Sequence, residues 1–137
     1  MLNPGQMNIS KEKRVRDVMT RGVITAPFDT PVSEIAKLLV REHISGIVVT
    51  APNGEAVGVI SEIDIIKVFD KDWDKLTAED VMSTVVRTID PETTLRKAAA
   101  IMRDLNIHRL VILSLKPAPG VPIGILTASD ILKASFE

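Results

Sequence analysis

Cysteine and tyrosine are absent from the chain, and one tryptophan and three phenylalanines are all its aromatic residues. Without thiols there is no disulfide, no thiolate nucleophile and no zinc–thiolate site. With 45% hydrophobic but only 3% aromatic residues, the core must be built from Val, Ile, Leu, Ala and Met. A charge excess is missing too. Net charge is −1, with eight basic and eight acidic residues up to Phe69 and nine and ten after it. Neither half is a polycation, which disfavours a chain whose main task is gripping nucleic acid, although a small local basic cluster stays open. No run of about 18 apolar residues exists, so no membrane span is expected. Met1 to Gln6 holds Pro and Gly and no long apolar run, which is not the pattern of a signal peptide. These absences set the expectation of a soluble, cytoplasmic protein of ordinary domain size.

Catalytic patterns are lacking as well. There is no supported Ser-His-Asp constellation, no Walker loop and no Gly-x-Gly-x-x-Gly, and the two histidines, His43 and His108, occupy non-equivalent positions that suit no metal. The expectation is a protein that is not an enzyme and needs no metal or cofactor.

What the chain does have, it has twice. Asp17-Val18-Met19-Thr20 returns as Asp80-Val81-Met82-Ser83, and Val32, Ala36 and Leu39 return as Leu95, Ala99 and Met102, all 63 residues on. Gly58-Val59-Ile60-Ser61-Glu62-Ile63-Asp64-Ile65 returns as Gly124-Ile125-Leu126-Thr127-Ala128-Ser129-Asp130-Ile131, now offset by 66. A three-residue insertion therefore lies in the Pro-rich stretch Lys116 to Pro122. Duplicated units in a short chain bury surface against each other. The division is a flexible leader over 1–13, a repeat over 14–69, a linker over 70–77 and a second repeat over 78–137.

Each repeat reads as strand, helix, strand, strand, helix, an α+β arrangement, after a helical turn at Val15 to Met19. Val23-Ile24-Thr25 suits a short strand stopped by Pro27. Thr30 before Pro31 suits an N-cap with proline at the first helical position. Val32, Ile35, Ala36, Leu38 and Leu39 then recur at helical spacing to about Glu42. Gly46 to Thr50 is a buried strand, Asn53-Gly54 a tight turn, Ala56 to Ile60 the returning strand, and Ser61 to about Phe69 a helix. The second copy gives Val85-Val86, Leu95 to Leu105, Leu110 to Leu115, Ile123 to Leu126 and Ser129 to Ala134. A three-stranded sheet with helices on one side leaves its other face wet, so the two sheets are expected to pack together with approximate two-fold symmetry.

The sharpest element is Gly-φ-φ-Ser/Thr-x-x-Asp, at Gly58, Ser61, Asp64 and at Gly124, Thr127, Asp130. A helix start with free N–H groups suits a phosphate. A hydroxyl can donate to an oxyanion, a carboxylate can accept from two ribose hydroxyls, and the glycine lets something approach the backbone. Ser-x-x-Asp is equally a capping box, and Thr77-x-x-Asp80 has the same spacing without a ligand rationale. The two roles can coexist. The second element is Asn106-Ile107-His108-Arg109-Leu110, where Arg109 offers a fork of donors for phosphate; a solvated basic corner is the plain alternative. The first copy has His43-Ile44-Ser45-Gly46 there, so only the second carries the cation. Thr25 and Thr88 end the first strand of each unit, either as binding hydroxyls or as ordinary β-formers. Arg87 stands where the first copy has Ile24. Trp73 suits a linker or dimer contact, and Met19 and Met82 suit core or interface packing.

With these motifs the chain resembles a tandem pair of cystathionine β-synthase (CBS) domains, a Bateman module, over about residues 14 to 134. The resemblance implies β-α-β-β-α units packed through their sheets. It implies a stand-alone regulatory module that senses energy state through AMP, ADP, ATP or S-adenosylmethionine, bound in two clefts between the repeats. A flat homodimer and an unknown regulated partner are implied too. One cleft would use Thr25 and Ser45 with Thr127 and Asp130, the other Ser61 and Asp64 with Thr88, His108 and Arg109. Asp64 and Asp130 would hold ribose hydroxyls; Ser61, Thr127, His108 and Arg109 would face phosphates; the backbone near Thr25 and Thr88 would read the base. Gly46 opposite Arg109 departs from equal phosphate binding in the two clefts. The alternatives are a ligand-free dimerisation or protein-interaction module and, further off, a nucleic-acid-binding CBS protein.

Overall fold

The computed structural model describes residues 13–114 and 120–137. Its elements in chain order are α1 (Val15–Val18), β1 (Thr20–Arg21), β2 (Thr25–Pro27), α2 (Val32–Arg41), β3 (Gly46–Thr50), β4 (Ala56–Ser61), α3 (Glu62–Ile66), α4 (Ala78–Val81), α5 (Leu95–Leu105), β5 (Arg109–Leu113), β6 (Pro122–Thr127) and α6 (Ala128–Ala134). Among the described residues the strands form two sheets, ordered β1-β6-β5 and β2-β3-β4, and the fold is α+β.

The chain divides into two compact units. A terminal unit draws on the chain up to Gly22, Arg87–Ser114 and Ile123–Glu137; a central unit draws on Val23–Val86 and the residues ending at Pro122. These are not the sequence repeats. α1 opens the first repeat, yet it sits with α5, β5, β6 and α6 of the second. α4 opens the second repeat, yet it sits with α2, β3, β4 and α3 of the first.

The exchange is made by matched backbone bonds. In the terminal unit the Val15 N–H donates to the Thr93 carbonyl at 2.9 Å, the Arg16 N–H to Pro91 at 2.9 Å and the Leu95 N–H to Lys13 at 3.2 Å. In the central unit, Ala78 donates to Thr30 at 2.8 Å, Glu79 to Phe28 at 2.9 Å and Val32 to Leu76 at 2.8 Å. Beyond each short helix the chain joins a sheet edge: Thr20 and Arg21 pair with Ile125 and Gly124, and Ser83 bridges Val59. At the far edge, Thr25 pairs in parallel with Val48, and Thr88 bridges Val111 in the same sense.

Each core follows from spacing. Val32, Ile35 and Leu39 share one face of α2 and pack with Ile47, Val49 and Ile60 of the central sheet and with Ala78 of α4. Leu95, Ala98 and Met102 do the same on α5, with Leu110, Ile112 and Leu126 and with Val15 and Met19 of the exchanged segment. Gly58 and Gly124 are where that segment presses closest. A Cβ on Gly58 would lie 2.5 Å from the Met82 sulfur and 2.8 Å from the Ser83 carbonyl oxygen. One on Gly124 would lie 3.0 Å from the Met19 sulfur and 3.1 Å from the Thr20 oxygen. The group that approaches each of these glycines is thus the other repeat's methionine, which sits with the core as expected.

Several local expectations are corrected. The first strand is Thr25–Pro27 rather than Val23 to Thr25, with Pro27 inside it, because a parallel edge strand does not need the proline N–H. Pro31, not Thr30, is the cap residue of α2, and the Thr30 carbonyl instead accepts from Ala78. In the second copy Thr94 occupies the cap, and its Oγ1 accepts from the Lys97 N–H at 3.2 Å. Val85-Val86 forms no strand, since the chain passes there from one unit to the other. The helix from Ser61 stops at Ile66. Asn53-Gly54 lies in a three-residue loop closed by Gly54 N–H on Ala51 and Ala51 N–H on Glu55, with only the glycine at positive φ, rather than in a two-residue turn. The leader falls outside the described residues except for Lys13, and so does the Lys116 to Pro122 insertion as far as Pro119. Among the described residues no helix is long and apolar enough to cross a membrane.

The glycine contacts set a measurable order. Gly58→Ala must displace backbone and is expected to cost about 1–3 kcal/mol by overpacking. Gly124→Ala has slightly more room and is expected to cost less. Urea unfolding of the two variants checks the ranking.

Candidate functional site

The corner where β4 turns into α3 is held by one carboxylate. Asp64 Oδ2 accepts from the Ser61 N–H at 2.8 Å and from the Ser61 hydroxyl at 3.1 Å. In the terminal unit Asp130 Oδ2 accepts from the Thr127 N–H at 2.9 Å, while Thr127 Oγ1 accepts from the Asp130 N–H at 3.2 Å. Both corners are capping boxes. The same box closes α4, with the Thr77 N–H on Asp80 Oδ2 at 2.8 Å, and α1, with the Arg14 N–H on Asp17 Oδ2 at 2.8 Å. Capping is therefore real at every such spacing. Asp64 and Asp130 each use only Oδ2 for it, and Oδ1 takes no hydrogen bond among the described residues. Both residues are half-buried. A carboxylate has about four acceptor sites, so each keeps capacity for an outside donor.

The helix starts do not offer all the free N–H groups expected of them. The Glu62 N–H donates to the Ser45 carbonyl at 3.0 Å, and the Ala128 N–H to the His108 carbonyl at 2.9 Å. The ladder in which Gly46 pairs with Ser61 runs one residue onto the helix and consumes the first donor. With α3 five residues long and α6 seven, little macrodipole is left for an anion. Any phosphate recognition falls to side chains.

Those bonds also show which residues come together. In the central unit Ser45, exposed just before β3, stands beside the Ser61–Asp64 corner. Thr25 is exposed on the neighbouring strand opposite Val48, and it lines an open groove of about 330 Å³ with Thr30, Glu34, Lys37 and Arg41 of the α2 side, a groove that neither Ser45 nor Asp64 reaches. In the terminal unit His108, exposed, and Arg109, half-buried at the start of β5, stand beside Thr127 and Asp130. Thr88, exposed, is bridged to Val111, and the Arg87 carbonyl accepts from the Val111 N–H at 2.8 Å. The pairings implied by the resemblance draw on both units. Within the units themselves, Ser45 accompanies Ser61 and Asp64 in one, and His108 and Arg109 accompany Thr127 and Asp130 in the other.

His43 and Asn106 end α2 and α5 in the left-handed region, at φ 54° and 51°. His43 is thus a helix-terminating residue, a role that its alignment with Asn106 carries in the sequence. Trp73 belongs to the central unit, its indole N–H donating to the Val68 carbonyl at 2.9 Å and its ring edge-on to Phe69. Among the described residues no group of three or more His, Asp or Glu side chains is placed to hold a metal ion.

Comparison with known proteins accounts for this duplicated geometry. The family model of the CBS domain matches residues 15–71 and again 78–137. The chain belongs to the CBS domain family. An uncharacterised protein of Methanopyrus kandleri is 37% identical to this CBS pair over 124 residues, 87% of this chain and 61% of that protein. Inosine-5′-monophosphate dehydrogenase of Korarchaeum cryptofilum is 34% identical over 92% of this chain but only 25% of the enzyme. The chain spans 34% to 62% of the length of the first three curated relatives it matches. Among solved structures, the CBS domain pair of protein MJ0100 in complex with 5′-methylthioadenosine and S-adenosyl-L-methionine aligns with a TM-score of 0.77 at 26% identity, covering 88% of this chain and 94% of that one. CBSX2 in complex with AMP aligns at 0.79 and 25% identity, covering 91% and 97%.

Shared caps have a shared consequence. Asp64→Ala, Asp80→Ala and Asp130→Ala are each expected to lose about 1 kcal/mol of stability, the usual worth of a cap. Thermal melts of the three variants against the parent chain check that the losses are alike.

Proposed function

We propose that this CBS pair is a ligand-sensing regulatory module. It binds an adenosyl ligand of the class of AMP, ADP, ATP or S-adenosylmethionine at its strand-to-helix corners and passes the change to a partner protein. One observation carries the reading: both corners cap their helices through a single oxygen and leave Asp64 Oδ1 and Asp130 Oδ1 without a bond among the described residues. A ribose hydroxyl pair can donate there without breaking the cap. Ser45, Ser61, Thr127, His108 and Arg109 would meet the 5′ substituent, and the backbone at Thr25 and Thr88 the base. Adenosyl ligands in the complexes of MJ0100 and CBSX2 support the ligand class. A ligand acts on a partner only through its differential affinity for two states of the module.

A second reading, an interaction module that binds no ligand, is favoured by the matching box at Thr77 and Asp80, which has no binding rationale. Thermal shift with AMP, ATP and S-adenosylmethionine separates the two. At ligand a hundred-fold above Kd, stability rises by about 2.7 kcal/mol and the melting temperature by several degrees. No shift with any ligand favours the second reading. Calorimetry on the cap variants adds a control. Asp64→Ala or Asp130→Ala is expected to weaken binding about ten-fold or more through one lost charge-assisted bond, and Asp80→Ala to leave it unchanged despite equal loss of stability.

The module is also proposed to pair with a second copy. In the central unit Val40 and Phe69 are 76% and 71% exposed, with Ile63 and Ile66 also exposed. Trp73 and Val40 line an apolar groove of about 410 Å³. Phe136 is 82% exposed in the terminal unit. Scattered exposed apolar residues are normal, but grouped ones mark contact surfaces. Light scattering is expected to give twice the 15.0 kDa chain mass, and Ile66→Asp to return the monomer.

A further inference from the structure

Charge is balanced along the sequence but not between the compact units. Among the described residues the terminal unit holds ten basic and six acidic side chains, the central unit five and eleven. The exchange sharpens this, because it carries Arg14, Arg16 and Arg21 into the first and Glu79 and Asp80 into the second. The contrast is greatest at the two junctions where an exchanged helix meets the start of a long one. These junctions share their backbone bonds. Val15 on Thr93, Arg16 on Pro91 and Leu95 on Lys13 in the terminal unit match Ala78 on Thr30, Glu79 on Phe28 and Val32 on Leu76 in the central one. The bridge of Arg14 to Thr94 likewise matches that of Thr77 to Pro31. On this common frame Arg14, Arg16, Arg21, Arg96 and Lys97 stand where the central junction has Thr77, Glu79, Thr84, Ser33 and Glu34. All five cations are exposed. Arg16 is answered by Glu92 at 2.6 Å and by Asp17 at 3.8 Å. Arg14 and Arg21 donate to the carbonyls of Glu92 and Arg16, and Arg96 and Lys97 have no ion pair among the described residues. The central junction presents Asp29, Glu34, Glu79 and Asp80, all exposed, with no cation at the matching positions.

From this opposition we infer that the basic terminal junction of one copy docks on the acidic central junction of a second copy, and reciprocally, so that two chains pair head to tail. The inference rests on the pairing proposed above and adds which surface meets which. Exposed ion pairs contribute little affinity each, so the exposed apolar side chains carry the strength of the pair. What charge decides is orientation, because like charges set face to face are penalised. Like junctions in contact would set cations against cations and carboxylates against carboxylates, whereas unlike junctions neutralise one another. Reciprocal contact also closes the assembly at two copies. A nucleic acid is the poorer occupant: its phosphates would be drawn to one unit and repelled by the surplus of acids in the other.

Charge reversal in the full chain, read by light scattering and sedimentation, tests this. Arg96→Glu with Lys97→Glu makes the terminal junction acidic; Glu34→Lys with Glu79→Lys makes the central one basic. Each double variant alone is expected to weaken pairing about ten-fold, through several small repulsions. An equimolar mixture of the two should pair as the parent chain does, because each reversed junction then meets its complement. Rescue in the mixture is a result that loss of fold cannot give. The absence of cysteine from the chain allows a direct check. Lys97→Cys and Glu34→Cys chains should form a disulfide-linked dimer when mixed and air-oxidised, and Lys97→Cys alone should not. Pairing untouched by both charge reversals, or a disulfide-linked dimer of Lys97→Cys alone, overturns the inference and leaves pairing standing. So does a terminal reversal that abolishes binding of single-stranded RNA without weakening the pair. A parent chain that stays monomeric overturns both.

Discussion

Close approach of a methionine-bearing segment to a glycine in the neighbouring strand is the contact on which the rest of this fold depends. Met82 lies on Gly58 and Met19 on Gly124, so tightly that neither glycine has room for a Cβ without movement. The contact pins the short helices α1 and α4 to cores that belong mostly to the other repeat. Neither repeat therefore owns a complete core: Val15 and Met19 are buried with Leu95 and Leu126, and Ala78 with Val32 and Ile60. Exchange of this kind means that each compact unit is built from both copies of the sequence. The exposed ion pair between Arg16 and Glu92, at 2.6 Å, adds little to this, since surface pairs contribute about 0–1 kcal/mol.

The same economy of parts governs the corners. Four Asp residues close four helices in the same way, so the cap itself does not distinguish a binding position from a structural one. What distinguishes Asp64 and Asp130 is their surroundings. Each follows a strand whose far end is held by the methionine contact, and each has the start of the next strand, Ser45 or His108, bonded to its helix. A cap is worth about 1 kcal/mol and a charge-assisted ligand bond about 1.5–3. A ligand that demanded the capping oxygen would still win, yet it need not compete, because the second oxygen takes no hydrogen bond among the described residues.

How much of this was legible before the structure depends on how local each feature is. The repeats, the faces Val32-Ile35-Leu39 and Leu95-Ala98-Met102, the buried runs Ile47–Val49 and Leu110–Ile112 and the capping boxes are all written in short spacings, and all are present. The exchange of α1 and α4 is not local. Asp-Val-Met opens each repeat in sequence, and nothing in its own spacing says that it packs on the other copy; the one trace is that a conspicuous Met and a conspicuous Gly both recur, 63 and 66 residues on. The fate of the helix-start N–H groups was hidden for the same reason, because it follows from strand neighbours rather than from the Ser-x-x-Asp pattern. The strand at Val85-Val86 failed because β-propensity cannot see that the chain is changing units there. His43 concealed a left-handed helix end that Asn106, its counterpart, shows openly.

Duplicated backbone geometry also sharpens the meaning of the differences that remain. Where two corners share the same carboxylate bond, the same strand partner and the same helix, the backbone cannot be the source of any difference in what they hold. The difference that remains between the corners is one of side chains, at positions 45, 46 and 24 against 108, 109 and 87. Among these the largest physical change is charge. At physiological salt the screening length is about 8 Å, so Arg109 and Arg87 act mainly on groups seated directly against them, and their influence fades beyond. Half-burial of Arg109 at the start of β5 weakens that screening further. A charge placed on one copy of a duplicated corner is therefore a local change, one that leaves the fold, and the cap beside it, as they are in the other.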